Sequence, residues 1–102
     1  MAINYMIYSA LELADLKILL SVAGEAAGDM WETWGAHGDL GPFHAEIMAS
    51  YGVEAEFKCY CVTRHSKDKS VEAREHLYAF IESLPGPRLL KKDDVFIAFR
   101  PE

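Results

Sequence analysis

Phe43-His44-Ala45-Glu46-Ile47-Met48-Ala49-Ser50-Tyr51, followed by Gly52-Val53 and then Glu54-Ala55-Glu56-Phe57-Lys58-Cys59-Tyr60-Cys61-Val62-Thr63, is the stretch on which the fold turns. Its second half alternates. Phe57, Cys59 and Cys61 fall on one side, and Lys58, Tyr60 and Val62 on the other, the period of two that marks a strand. Its first half is dense in apolar and aromatic residues and stops at Gly52. It reads as a second strand, so strands are expected near residues 44–51 and 55–63 around a turn at Gly52-Val53.

Ile3 to Tyr8, upstream, is a β-branched and aromatic run with both faces apolar, the pattern of a central strand. Ser9-Ala10-Leu11-Glu12 has the form of a capping box, in which Ser and Glu each satisfy a free amide at a helix start. Leu13, Leu16, Leu20, Ala23, Ala27, Met30 and Trp34 follow in steps of three and four, one helical stripe. Gly24 and Gly28 interrupt it at about 1 kcal/mol each against Ala. A continuous or kinked helix ending before Gly35 is expected. Gly35 to Pro42 reads as a loop. Downstream, Ser70 is placed to cap a second helix buried through Val71, Leu77, Tyr78, Ile81 and Leu84, and Pro85-Gly86-Pro87 stops it. Residues 88–93 read as a link to a last strand, Val95 to Phe99. The order β-α-β-β-α-β is the ferredoxin-like arrangement: an α+β fold with a four-stranded antiparallel sheet and both helices on one face. One domain over residues 1–102 is expected.

Composition narrows the function classes. The chain has 102 residues, is 51% hydrophobic and 25% charged, and carries a formal charge of −6, which suits a folded acidic domain. A nucleic-acid partner is disfavoured, because phosphate binding calls for basic surface. No run approaches the roughly 20 apolar residues of a membrane span. The N-terminus lacks a basic start and long apolar run, so a cytoplasmic protein is expected. Cys59 and Cys61 point the same way in a strand and are poorly placed to bridge each other. Reduced, buried thiols are expected.

Catalytic and metal signals are weak. His37, His44, His65 and His76 are scattered. His44-Ala45-Glu46 is half of a zinc-deaminase signature whose Pro-Cys-x-x-Cys half is missing, since the chain has Cys59-Tyr60-Cys61. His37, Asp39 and His44 are conceivable metal ligands brought together by a loop, against the simpler reading of surface histidines. No nucleophile elbow or phosphate-binding glycine loop occurs. Lys67, Lys69, Lys91 and Lys92 read as solvated loop charges. Neither catalytic residues nor a cofactor are expected.

Glu25, Asp29 and Glu32 stand at i, i+4 and i+7, so on a continuous helix they would form one acidic ridge. Asp39 follows in the loop, Trp31 projects beside the ridge, and no Lys or Arg lies between Glu25 and Phe43. Such a ridge beside an exposed Trp suits docking of a basic protein. Its competitor is an ordinary solvated face. Leu11, Ile18, Leu19 and Val22 fall off the main stripe, which makes Ile18 and Val22 candidate contacts with a second copy. The leading expectation is an acidic protein-binding module, such as an immunity protein or inhibitor neutralising a basic toxin or nuclease. The alternative is a dimeric domain that binds or transforms a small molecule in a sheet–helix cleft. That alternative rests on Tyr5, Tyr8, Tyr51, Phe57 and Tyr60, with His44 as acid–base group.

Overall fold

A computed structural model describes residues 2–38, 40, 42–52, 57–93 and 95–100. The elements run β1 (Ala2–Ser9), α1 (Leu13–Ala27), β2 (Thr33–His37), α2 (Pro42–Ser50), β3 (Cys59–Ser66), a 3₁₀ turn (Lys67–Lys69), α3 (Ser70–Ser83), β4 (Arg88–Lys92) and β5 (Val95–Arg100). They build a five-stranded sheet in the order β2-β3-β1-β4-β5. Every pairing is antiparallel. The class is α+β, but the four-stranded ferredoxin-like order is wrong. Two strands lie where a helix end and a link were expected, and a helix lies where a strand was expected.

Each departure has a local cause. Residues 42–50 are helical because Pro42 occupies the first helical position, where its missing N–H is harmless. Gly52, at φ 72°, takes the left-handed conformation just past the helix end, and its N–H bonds the Ala49 carbonyl at 3.0 Å. Half-buried Ile47, buried Met48 and half-buried Tyr51 then share a face at helical spacing. Val53 of the expected turn at Gly52-Val53 lies outside the described residues.

The first helix stops at Ala27. Gly28, at φ 64°, ends it with an N–H bond to the Gly24 carbonyl. Thr33 to His37 are thereby released to pair with β3. The helix also starts later than its capping box implies. Ser9 ends β1, and its Oγ accepts the Leu11 N–H at 3.1 Å. Glu12 precedes the helix without a side-chain cap. Ser70 opens α3, but its hydroxyl donates to the Lys67 carbonyl instead of capping the helix amides. The predicted link at 88–93 is mostly strand β4, inserted between β1 and β5. Its basic residues are not solvated loop charges. Arg88 and Lys91 are each 6% exposed, and Arg88 bonds the Ile81 carbonyl through Nε (2.6 Å) and the Gly86 carbonyl through Nη1 (2.9 Å).

The sheet is covered on both faces. On one, Tyr5 and Ile7 of β1, Cys59 and Cys61 of β3 and Leu90 of β4 meet Leu16 and Leu20 of α1 and Leu77, Phe80 and Ile81 of α3. On the other, Tyr8 and Leu89 meet Met48 of α2, with Tyr51, Phe57, Tyr60 and Phe99 around them. β1 sits at the centre and is apolar on both faces for that reason. No described helix is long and apolar enough to cross a membrane.

Cys59 and Cys61 are free, fully buried and share a face. Burial pushes both thiols up, that of Cys61 to about 12, with the neighbouring Cys59 adding to it. Thiolate is therefore scarce at neutral pH. In the native protein both cysteines should react slowly with a disulfide reagent and rapidly after unfolding, as measured by thiol release in buffer and in denaturant. Ile7→Ala, at a position with no exposed surface, should cost about 2–5 kcal/mol in a denaturant titration.

Candidate functional site

The acidic set does not form a helical ridge. Glu25 is exposed on the last turns of α1, while Asp29 and Glu32 are exposed beyond the helix end. Asp39 lies outside the described residues. Bases that are distant in sequence reach the segment. Arg64 Nε lies 3.3 Å from Glu32 Oε2, and Lys69 Nζ donates to the Asp29 carbonyl at 3.2 Å.

Trp31 does not project as an anchor. It is half-buried, its ring 4.7 Å from that of Trp34, and its Nε1 donates to His76 Nδ1 at 3.1 Å. An indole N–H only donates and a carbonyl only accepts. His76 Nδ1 is therefore the acceptor, and its Nε2 carries the proton bonded to the Ala23 carbonyl at 3.0 Å. His76 thus fastens α3 to the end of α1 and to the segment leading into β2. Trp34 adds a second fastening by donating from Nε1 to the Leu20 carbonyl at 2.8 Å. Gly24 permits this approach, since a Cβ there would stand 3.1 Å from Trp34 Cδ1. His65, with no exposed surface, donates from Nδ1 to the Ser66 carbonyl at 2.8 Å. Its Nε2 and the nearby Thr63 Oγ1 are buried without a hydrogen-bond partner among the described residues.

On the opposite face, four of the five aromatic residues that suggested a small-molecule cleft do come together. The Tyr8 hydroxyl bonds His44 Nδ1 at 2.8 Å, and Phe57 and Tyr60 flank Tyr8, each with a ring centroid 6.0 Å away. The Tyr60 ring lies 5.3 Å from His37 and 5.1 Å from His44. Tyr51 belongs to the same cluster. Tyr5 belongs to the other face of the sheet. Tyr8 has no exposed surface, and burial raises its phenol to about 12. It is neutral near pH 7 and serves to tie α2 to the sheet. His37 and His44 flank one ring, but among the described residues no three His, Cys, Asp or Glu side chains form a group able to hold a metal.

Two further surfaces are exposed, one of them expected from sequence as a contact with a second copy. The outer stripe of α1 presents Ile18 at 63% and Val22 at 65% exposure. Strand β5 exposes Val95, Phe96 and Ile97, and a cleft of about 230 Å³ beside it is lined by Tyr78, Ile81 and Glu82 of α3, Leu90 of β4, and Ile97, Ala98 and Arg100 of β5. Ile18 and Val22 were legible as off-stripe apolar positions. The cleft was not, because it depends on β4 lying beside β5. No protein-family model, curated protein or solved structure matches the chain.

Raised acids carry a signed pH dependence. Tyr8 and Cys61 hold their protons up to about pH 12 in the fold, against 10.0 and 9.0 as reference values. The unfolded chain ionises first, so stability is full below about pH 9 and falls as pH rises towards 12. Chemical denaturation across pH 8–12 should show this decline. Tyr8→Phe should remove the part between pH 10 and 12, and at neutral pH should cost about 0.5–1.5 kcal/mol for the bond to His44.

Proposed function

We propose that this chain is an acidic, non-catalytic protein-binding module that docks a basic protein on the outer face of α1. One observation carries the reading. Ile18 and Val22, both well exposed, share the solvent stripe of α1 with exposed Asp15 and Glu25. Positions 15, 18, 22 and 25 are spaced by three and four, so they form one stripe opposite buried Leu16 and Leu20. An apolar centre between charged ends is the anatomy of an interface, with a dry middle and a polar rim.

Charge distribution supports the sign of the partner. Residues 1–57 carry nine acidic side chains against one base, Lys17, whereas residues 58–102 carry seven acids against nine bases. The acidic character therefore sits in the half that contains α1, and it would steer a basic surface towards that helix. Asp29 and Glu32, though off the helix, lie in the same acidic half. The narrower form of this reading is an inhibitor or immunity protein that covers a basic toxin or nuclease. Its competitor is a second copy of this chain seated on Ile18 and Val22.

The test starts with capture of partners from the native host and continues with kinetics on purified protein. Ile18→Ala with Val22→Ala should speed dissociation of a basic partner at least tenfold. Asp15→Asn with Glu25→Gln should slow association and flatten its salt dependence. Both pairs are solvent-exposed, so each substitution should stay within about 0.5 kcal/mol of the parent in stability. A captured partner that binds both pairs of variants like the parent would overturn the reading. Self-association in sedimentation that the Ile18/Val22 pair abolishes would replace it with the homodimer.

A further inference from the structure

The second surface lies on a different part of the molecule and is independent of α1. α1 packs over β2, at one edge of the sheet, whereas β5 is the other edge. Among the described residues β5 pairs only with β4, so one side of its backbone has no strand beside it. Edge strands commonly carry Lys, Pro or inward charges that discourage pairing. The described β5, Val95-Phe96-Ile97-Ala98-Phe99-Arg100, has neither Lys nor Pro, and its one charge is at the end.

Register decides what hangs beside this edge. Ala98 pairs with Leu90 and Arg100 with Arg88, on the helix side of the sheet. Phe99 pairs with Leu89 and Phe96 with Lys91, on the α2 side. A bulge leaves Ile97 as an extra residue, and Ile97 and Ala98 both line the cleft against Tyr78 and Ile81 of α3. The cleft has an apolar floor and an Arg100–Glu82 pair at its polar end. Arg100 contacts Glu82 through Nε at 3.3 Å, with both side chains about half exposed, and reaches the Phe99 carbonyl through Nη1 at 3.5 Å. A guanidinium has five donors, so it has capacity for a further carboxylate.

We propose that β5 and the cleft between it and α3 bind an extended peptide as a sixth, antiparallel strand, in which an acidic residue faces Arg100 and an apolar residue two positions later fills the cleft. Main-chain hydrogen bonds to a sheet edge supply general affinity, and pockets for alternate side chains supply selectivity. Antiparallel addition continues the pattern of the sheet. It places the residue opposite Arg100 before the residue opposite Ala98, both on the helix side, with the intervening side chain turned towards Phe99. The recognised pattern is therefore acidic, any residue, apolar. The Arg100 donors not engaged by Glu82 and the apolar lining both favour this occupant.

The probe is a synthetic eight-residue peptide with a central Glu-Thr-Leu, capped at both ends, titrated into isotope-labelled protein. Amide shifts should concentrate on residues 95–100 and on Tyr78 to Glu82, with saturation below 1 mM. Glu→Gln in the peptide, and Arg100→Gln in the protein, should each weaken binding about tenfold, and combining them should add little. N-methylation of one peptide amide in the paired register should abolish binding. Arg100 is exposed, so an unchanged thermal transition confirms that Arg100→Gln is folded. Absence of shifts at 1 mM would overturn the proposal. So would shifts that map to α1, full binding by every N-methylated peptide, or a dimer in sedimentation that Phe96→Lys dissolves. Loss of binding at α1 alone would count against the docking face proposed there and leave this site standing.

Discussion

Everything in this fold is arranged around a strand that must be dry on both sides. β1 lies between β3 and β4, with Tyr5 and Ile7 under α1 and α3 and Tyr8 under α2. Removing a strand's two faces from water requires covers above and below, and a short chain has few residues to make them. The two longer helices cover one face and the nine-residue α2 serves the other, where aromatic side chains supply bulk. Tyr8 shows how a polar atom is accommodated at such a depth: its hydroxyl finds His44 on the covering helix. Burial and hydrogen bonding therefore favour the same placement of α2.

Much of this was legible wherever an element has one wet face. β3 shows its alternation from Cys59 to Val62, and α3 shows its stripe in Leu77 and Ile81. Phe57, expected on the face of Cys59 and Cys61, precedes the strand and packs with Tyr8 and Tyr60 on the other face. The reading failed where two-sided burial or a single backbone angle decides. β4 reads from sequence as a link, with Lys91 and Lys92 as solvated charges. Arg88 is nevertheless buried, because the carbonyls of Ile81 and Gly86 meet its guanidinium. Charge-assisted bonds of this kind are invisible until the helix end and the turn that supply them have been placed. Trp34 sustains the helical spacing of Met30 and Ala27 and still belongs to a strand, because Gly28 has already turned the chain.

The candidate site inherited that error. A ridge of Glu25, Asp29 and Glu32 exists only on a helix that continues, and one angle at Gly28 dissolves it. Glu25 alone stays on the helix, next to the apolar pair that sequence had assigned to a second copy. The proposed docking surface therefore moves by one face and keeps its sign. Trp31 changes role more completely. An indole beside acidic residues suggests an anchor for a partner, but its N–H is committed to His76 and its ring to Trp34. The sequence contained the tryptophans and histidines of this cluster, but not the antiparallel return of β3 and α3 that gathers them.

Arg88 has a consequence for how this surface can change over evolutionary time. By bonding the last turn of α3 and the loop after it, Arg88 fixes where the helix leaves off relative to β4, and so fixes the walls of the cleft that α3 and β5 share. The residues that line its mouth, Tyr78 and Ile97, are outside both buried clusters. Substitution there alters what the cleft accepts without opening a cavity in the core. Frame and lining are thus physically separable: a buried guanidinium holds the frame, while the lining can be substituted without disturbing the core.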